Sequence, residues 1–203
     1  MVRMTLSARS LRSDAARNRE LLLAAAEEEF AKRGMDASIA DIARRAGVAK
    51  GTVFRHFATK EELVAVVVGG HFVSLGAVAG ELLESADPTG ALLEFLTVAA
   101  EQLQHQDLVF LQAVTEGDST VTECRNQLHA RTNALVDRAQ VAGGIRSDVT
   151  GSDILLILCA LVHTVGLRTE QTPDSWRRHL VILFDGLRPQ GASPLPGPVP
   201  ERL

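Results

Sequence analysis

The chain has 203 residues, 46% of them hydrophobic and 23% charged, an ordinary globular composition that excludes a disordered tail or a small stapled scaffold. Its formal charge of −4 argues, as an average, against a nucleic-acid partner, because phosphate backbones are held by accumulated Lys and Arg. The average hides a split: residues 1–60 carry 12 Lys and Arg against 7 Asp and Glu (net +5), and residues 61–203 carry 9 against 18 (net −9). A basic end on an acidic body is the pattern of a nucleic-acid-contacting module joined to a differently employed domain.

Met1 to Ser13 holds Arg3, Arg9 and Arg12 without an apolar stripe and is expected to be a flexible basic arm. From Asp14 the pattern is helical almost throughout, because Ala, Leu, Glu, Arg and Gln dominate and apolar residues recur every three or four positions. The expected fold is all-α. Leu22, Ala26 and Phe30 line one face of a helix over 14–33, stopped by Gly34. Short helices are expected over 39–46 and 50–57, and a longer one over 60–85. Further helices are expected over 89–105, 107–116, 119–142, 152–168 and 174–187, with Pro88 and Pro173 at breaks between them. Five of the seven prolines fall in the last fifteen residues, where apolar periodicity also ends, so 189–203 is expected to be a disordered Pro-rich tail. The expected division is therefore a helix-turn-helix domain over 14–60 and a larger helical domain over 61–188.

Ser38 to Phe57 is the most specific stretch. Ser38 can cap the first short helix with Asp41 three residues on, a weakened capping box. Ala43 is small where a second helix must cross closely. Gly47 supplies the left-handed residue of a tight turn, Val48 plugs the corner, and a new helix starts at once. At 100° per residue, Val53 and Phe57 fall within about 40° of each other and face inward, while Arg55 lies about 200° from Val53 with Gly51 and Thr52 beside it. A helix in the major groove could then set Arg55 against guanine edges, with Thr52 at a base edge or phosphate and Gly51 allowing close approach. Lys50 and His56 flank that face as backbone contacts. Thr59 caps the next helix with Glu62 at the box position. Lys60 puts a cation into that helix's first turn, which a bound phosphate would favour.

The stretch from Arg19 to Gly34 (R-E-L-L-L-A-A-A-E-E-E-F-A-K-R-G) and the stretch from Ser38 (S-I-A-D-I-A-R-R-A-G-V-A-K-G-T-V-F-R-H-F-A-T-K-E-E-L) resemble the DNA-binding domain of the TetR family of bacterial transcription regulators. G-G-I-R-S-D-V-T from Gly143 and L-F-D-G-L-R-P from Leu183 resemble less specific segments of that family's regulatory domain. The resemblance implies that Thr52, His56 and Lys60 touch phosphates and that Lys50 and Arg55 lie near base edges; Ser38 is a further DNA-binding candidate. The family often has a tyrosine where this chain has Phe54, and the chain has no tyrosine. Phe54 is therefore expected to act by packing or by apolar contact with a sugar or thymine methyl.

A three-helix reading unit spans few base pairs, so a palindromic double-stranded operator and a homodimer are expected. Ile154, Leu158, Leu161 and Val165 on one helix and Leu180, Leu183, Phe184 and Leu187 on the next are the interface candidates, because their helices carry more apolar residues than one narrow stripe needs. An isologous four-helix interface is also what the resemblance implies. An effector pocket is implied by the resemblance and permitted by the sequence: Phe72, Phe95, Leu103, Phe110 and Leu111 as apolar walls, with His71, Gln102, His105, Gln112 or His129 as polar anchors. Their mostly apolar character suggests a small hydrophobic effector. Gly69-Gly70, two glycines inside a helix, could be a hinge between reading head and body or a point of close packing.

Cys124 and Cys159 stand alone in apolar patterns and read as free thiols. No metal site and no cofactor are expected, and no apolar run suggests a membrane span of about 18 residues or more. The chain lacks G-x-G-x-x-G, P-loop, H-E-x-x-H and G-x-S-x-G motifs, so a helical enzyme is a poor alternative. A DNA-binding regulator answering to a partner protein, or to nothing, stays open beside a ligand-released repressor in the cytoplasm.

Overall fold

The computed structural model describes the backbone of residues 3–103, 117–166, 175–190 and 192–196, and the side chains within them except at 3–15 and 163–166. Eight α-helices and no strand occur among the described residues: α1 Arg3–Arg33, α2 Ile39–Arg45, α3 Lys50–His56, α4 Lys60–Leu82, α5 Pro88–Leu103, α6 Ser119–Val141, α7 Gly151–Gly166 and α8 Ser175–Gly186. The helix expected over 107–116 and Pro173 lie outside them. Residues 3–13, expected as a flexible arm, instead extend α1. The stretch holds three Arg and two Leu, which favour helix, and neither glycine nor proline interrupts the chain before Gly34.

The chain divides into two compact units, 1–68 and 69–203, so the division falls later than the expected residue 60 and lies within α4. In the first unit α1 packs on α2 and α2 on α3, around Leu22, Phe30, Ile42, Val53, Phe57 and Leu63, all nearly or wholly buried. Truncating any of the larger ones to Ala would cost about 2–5 kcal/mol. The second unit is built on α5, which packs against α6, α7 and α8, with α7 also packed on α6 and α8. Leu92, Phe95, Leu135, Ile154, Leu158, Trp176 and Phe184 belong to its core.

Local chemistry starts these helices where the sequence places them. Pro88 occupies the first position of α5, where its missing N–H costs nothing. Asp118 caps α6 by accepting from the Thr120 and Val121 amides at 2.8 and 3.1 Å. Thr150 and Asp153 cap α7 reciprocally: the Thr150 amide donates to Asp153 Oδ2 at 2.8 Å and the Asp153 amide to Thr150 Oγ1 at 3.3 Å.

The two C-terminal family-like segments meet, the Arg146 amide donating to the Leu187 carbonyl at 2.8 Å. Arg146 also forks onto Asp148 at 2.5 and 2.7 Å and donates to the Ser193 carbonyl at 2.5 Å. Residues 192–196, part of the expected Pro-rich tail, lack regular structure, and that bond is made to their Ser193 carbonyl. Residues 197–203 lie outside the described ones.

α4 is long and apolar enough to cross a membrane by length and composition, contrary to expectation. Leu63, Val64, Val67, Val68, Leu75 and Ala79 are nevertheless buried within the protein, so part of its apolar content serves packing.

Candidate nucleic-acid interface

The turn between α2 and α3 forms as its residues require. Gly47 has φ +69°, a conformation that costs a side chain but not glycine. The Gly47 and Val48 amides close the turn onto the Arg44 and Ala43 carbonyls at 3.2 and 3.0 Å, with Ala43 buried at the crossing.

An ion-pair network fixes α2 against α1. Arg45 Nε donates to Glu29 Oε1 at 2.6 Å and its Nη1 to Glu28 Oε2 at 2.5 Å. Asp41 accepts from Arg33 at 2.9 Å, Arg44 at 2.5 Å and the Ser38 hydroxyl at 2.7 Å. Ser38 Oγ in turn accepts from the Asp41 amide at 3.1 Å. The Ser38 hydrogen bond, followed by the Arg33 and Arg44 charges, holds the Asp41 carboxyl below its ordinary range. The Arg45 hydrogen bond does the same for Glu29.

Depressed folded values contribute stability that is complete above the ordinary carboxylate range and is lost as pH falls through them. Acid titration of helicity should therefore show a loss that begins only below about pH 5 and continues as pH falls further, and Asp41→Asn should flatten that limb. An unchanged acid limb in the variant would remove Asp41 from the account.

α3 presents two faces. Val53 and Phe57 are sealed inside at 0% and 1% exposure, and the Arg19 guanidinium lies over the Phe57 ring at 5.3 Å. Outward stand Lys50, Gly51, Phe54 and Arg55, all exposed, with Thr52 and His56 half-buried at the margins. Phe54 is 47% exposed, an unusual setting for a ring with no polar atom. A Cβ on Gly51 would meet nothing within 4 Å, so packing within the chain does not require glycine there. Arg33, Arg44 and Arg45 spend their charge on carboxylates, whereas Lys50 and Arg55 have no such partner among the described residues.

Two of the expected contacts are engaged within the chain. The Ser38 hydroxyl is committed to Asp41 at both donor and acceptor, so it is first a helix cap. Lys60 Nζ donates to the Met35 carbonyl, which accounts for a cation at the start of α4, and it retains two further N–H donors. Thr59 caps α4 by accepting from the Glu62 amide at 3.0 Å, while Glu62 accepts from the Ala58 amide at 2.6 Å.

The interface candidates on α7 and α8 require correction. Ile154, Leu158, Leu161, Leu180, Phe184 and Leu187 are buried in the unit's own core at 1–6% exposure, and only Leu183 reaches the surface; the Val165 side chain lies outside the described ones. The apolar residues left exposed are Leu156 at 66%, Ile182 at 55%, Val181 at 48% and Leu183 at 37%. Periodicity reports that a helix has two apolar faces, not which of them its own subunit covers. The signal for the second face was the unbroken run Leu155-Leu156-Ile157-Leu158.

The effector candidates scatter. Phe95 is sealed in the core, Phe72 and Leu103 pack half-buried against it, and His71, Gln102 and His129 are half-buried. His105, Phe110, Leu111 and Gln112 lie outside the described residues. A small apolar cleft is lined instead by residues such as Leu96, Ile154, Leu158, Leu183 and Phe184. No group of three or more His, Cys, Asp or Glu able to hold a metal occurs among the described residues.

Comparison with known proteins bears on both units. The family described as bacterial regulatory proteins, tetR family, matches residues 22–67, and the family described as transcriptional regulator SbtR-like, C-terminal domain, matches residues 87–189. An HTH-type transcriptional repressor of Mycobacterium tuberculosis is 47% identical over 68 residues, which are 33% of this chain and 34% of that protein. The alignment thus spans about a third of the length of that curated relative. A TetR transcriptional regulator from Streptomyces coelicolor has a solved structure with TM-score 0.66 and 30% identity, covering 85% of this chain and 99% of its own. A TetR transcription regulatory protein from Mycobacterium vanbaalenii gives TM-score 0.63 and 31% identity, over 88% and 99%.

Proposed function

The chain belongs to the TetR family of bacterial regulatory proteins, and on that premise we propose that it is a cytoplasmic DNA-binding repressor that holds a palindromic operator as a homodimer and releases it when a small apolar ligand binds the second unit. The observation that carries this reading is the outward face of α3. An exposed Arg55, an exposed Lys50 and an exposed Phe54 surround a glycine that packing does not require. The exposed Phe54 ring costs solubility and returns nothing to the fold. Such a face suits a major groove, where a guanidinium reads guanine and a ring meets a thymine methyl. The net +5 of residues 1–60 adds the phosphate attraction that such docking needs.

Selection of DNA fragments by the purified full-length protein, followed by anisotropy titration at low salt, tests the reading. A palindromic site bound with steep salt dependence supports it, and no binding to any fragment sinks it. Melting the protein against a metabolite library separates ligand control from control by a partner protein, since a specific effector raises stability by mass action.

The dimer is proposed to form through Leu156, Val181, Ile182 and Leu183, exposed apolar residues on two helices that pack on one another. Pairing them with their symmetry mates would give an isologous four-helix contact.

Gly69 and Gly70 are proposed as the hinge. They sit where the chain passes from one compact unit to the other. A Cβ at Gly69 would meet only Cys124 Sγ, at 4.0 Å, and at Gly70 nothing, so close packing does not explain them. Replacing both with Ala should add about 1 kcal/mol of helix stability per site and weaken ligand-driven operator release. Release at the wild-type ligand concentration would remove the hinge.

A further inference from the structure

α6 carries a charged residue where its pattern calls for an apolar one. Its buried stripe runs through Val121, Leu128, Thr132, Leu135 and Val136. Arg125 lies about 40° around the helix from Val121 and about 20° from Thr132, inside that stripe. Its Nε is buried and has no hydrogen-bond partner, and its only hydrogen bond among the described residues is a long one, Nη2 to Asn126 Oδ1 at 3.5 Å. One turn further, the half-buried His129 has a buried Nδ1 that is equally unpartnered.

The other two arginines of α6 are placed differently. Arg138 donates to the Leu83 and Ser85 carbonyls, and Arg131 is exposed and lies against Gly76 and Gly80.

Burying a guanidinium N–H without an acceptor is costly, and a fold under no other demand would place Met or Leu at this position. The missing partner must accept from Nε, and a carboxylate that also reaches an Nη would do so in the plane of the guanidinium. Burial, together with the neighbouring Arg125 charge, pulls the His129 imidazole below its ordinary range, and the ring carries at least one N–H donor in either protonation state. The rest of the stripe is apolar apart from Thr132, whose hydroxyl is already bonded to the Leu128 carbonyl at 2.9 Å.

We infer that Arg125 and His129 form the head-group subsite of the effector site, and that the effector carries a carboxylate. The inference rests on the ligand-controlled reading proposed above and names the chemical class of its ligand.

Two measurements on the full-length protein test it. Without ligand, Arg125→Met removes an uncompensated charge and should raise the melting temperature by about 2–4 °C; a fall would mark Arg125 as structural and overturn the inference. Calorimetry with octanoate, decanoate and benzoate, each against its uncharged amide, reads the subsite directly. At least one carboxylate should bind about tenfold or more tighter than its amide, and Arg125→Gln should abolish that difference while Arg125→Lys keeps part of it. Amides binding as tightly as carboxylates, full carboxylate affinity in Arg125→Gln, or no carboxylate binding at millimolar concentration would each overturn it. Both readouts are taken without DNA, so a failure of the operator-binding reading would leave them standing and can be told apart.

Discussion

Placing charges on the exposed apolar face of α7 and α8, as in the double variant Leu156→Glu with Ile182→Glu, should turn the proposed dimer into monomers and lower operator affinity by about 100-fold or more. Both side chains are more than half exposed, so the subunit loses little packing and its helicity should survive. The dimer, by contrast, would bring like charges together across a symmetry axis, each repeated by the mate and each losing water. The loss on DNA follows from geometry. Once one half-site is bound, the second binds at a high effective concentration only while the two heads are joined. Sedimentation at micromolar protein reads the assembly and anisotropy reads the operator. A dimer that survives both substitutions would move the interface elsewhere. The sequence-level candidates give the internal contrast: Leu158→Glu or Phe184→Glu places a carboxylate in a sealed core and should unfold the second unit rather than dissociate a folded one.

Arg55→Ala should cost about 1–3 kcal/mol of operator affinity and relax sequence preference at one position per half-site, measured by titration against single-base operator variants. The side chain has no partner among the described residues, so its removal leaves the head intact, and the whole loss belongs to the DNA contact. Lys60→Ala should behave differently, weakening all sequences evenly and flattening the salt slope by about one counterion. Its effect is also tempered by the Met35 carbonyl, which already holds the ammonium. If Arg55→Ala weakens every sequence equally, the residue touches phosphate and Lys50 or Phe54 becomes the base reader.

The reading head was legible to a degree that the body was not. The Gly47 turn, the inward Val53 and Phe57 and the outward Gly51 and Arg55 all emerge from spacing, because caps, turns and helical phase act over a few residues. The Ser38 and Thr59 caps are likewise local chemistry, and among the described residues the helix boundaries agree to within a few residues except at the start of α1. Even in the head, the sequence shows a serine and a lysine near a helix start, but not that the Ser38 hydroxyl is spent on Asp41 or that Lys60 reaches back to Met35.

The sequence by itself determined an all-helical chain, a basic helix-turn-helix unit with a defined outer face, and an acidic body with more apolar residues than one narrow stripe needs. Only the tertiary structure decided which apolar face of α7 and α8 is left over, and that Arg125 of α6 sits in a buried stripe with no carboxylate paired to it among the described residues. The physical reason is the range of the interactions. Helical phase repeats within a single turn and can be counted along the chain, whereas coverage and charge pairing depend on helices far apart in sequence, and any of several faces satisfies the same periodicity until packing selects one.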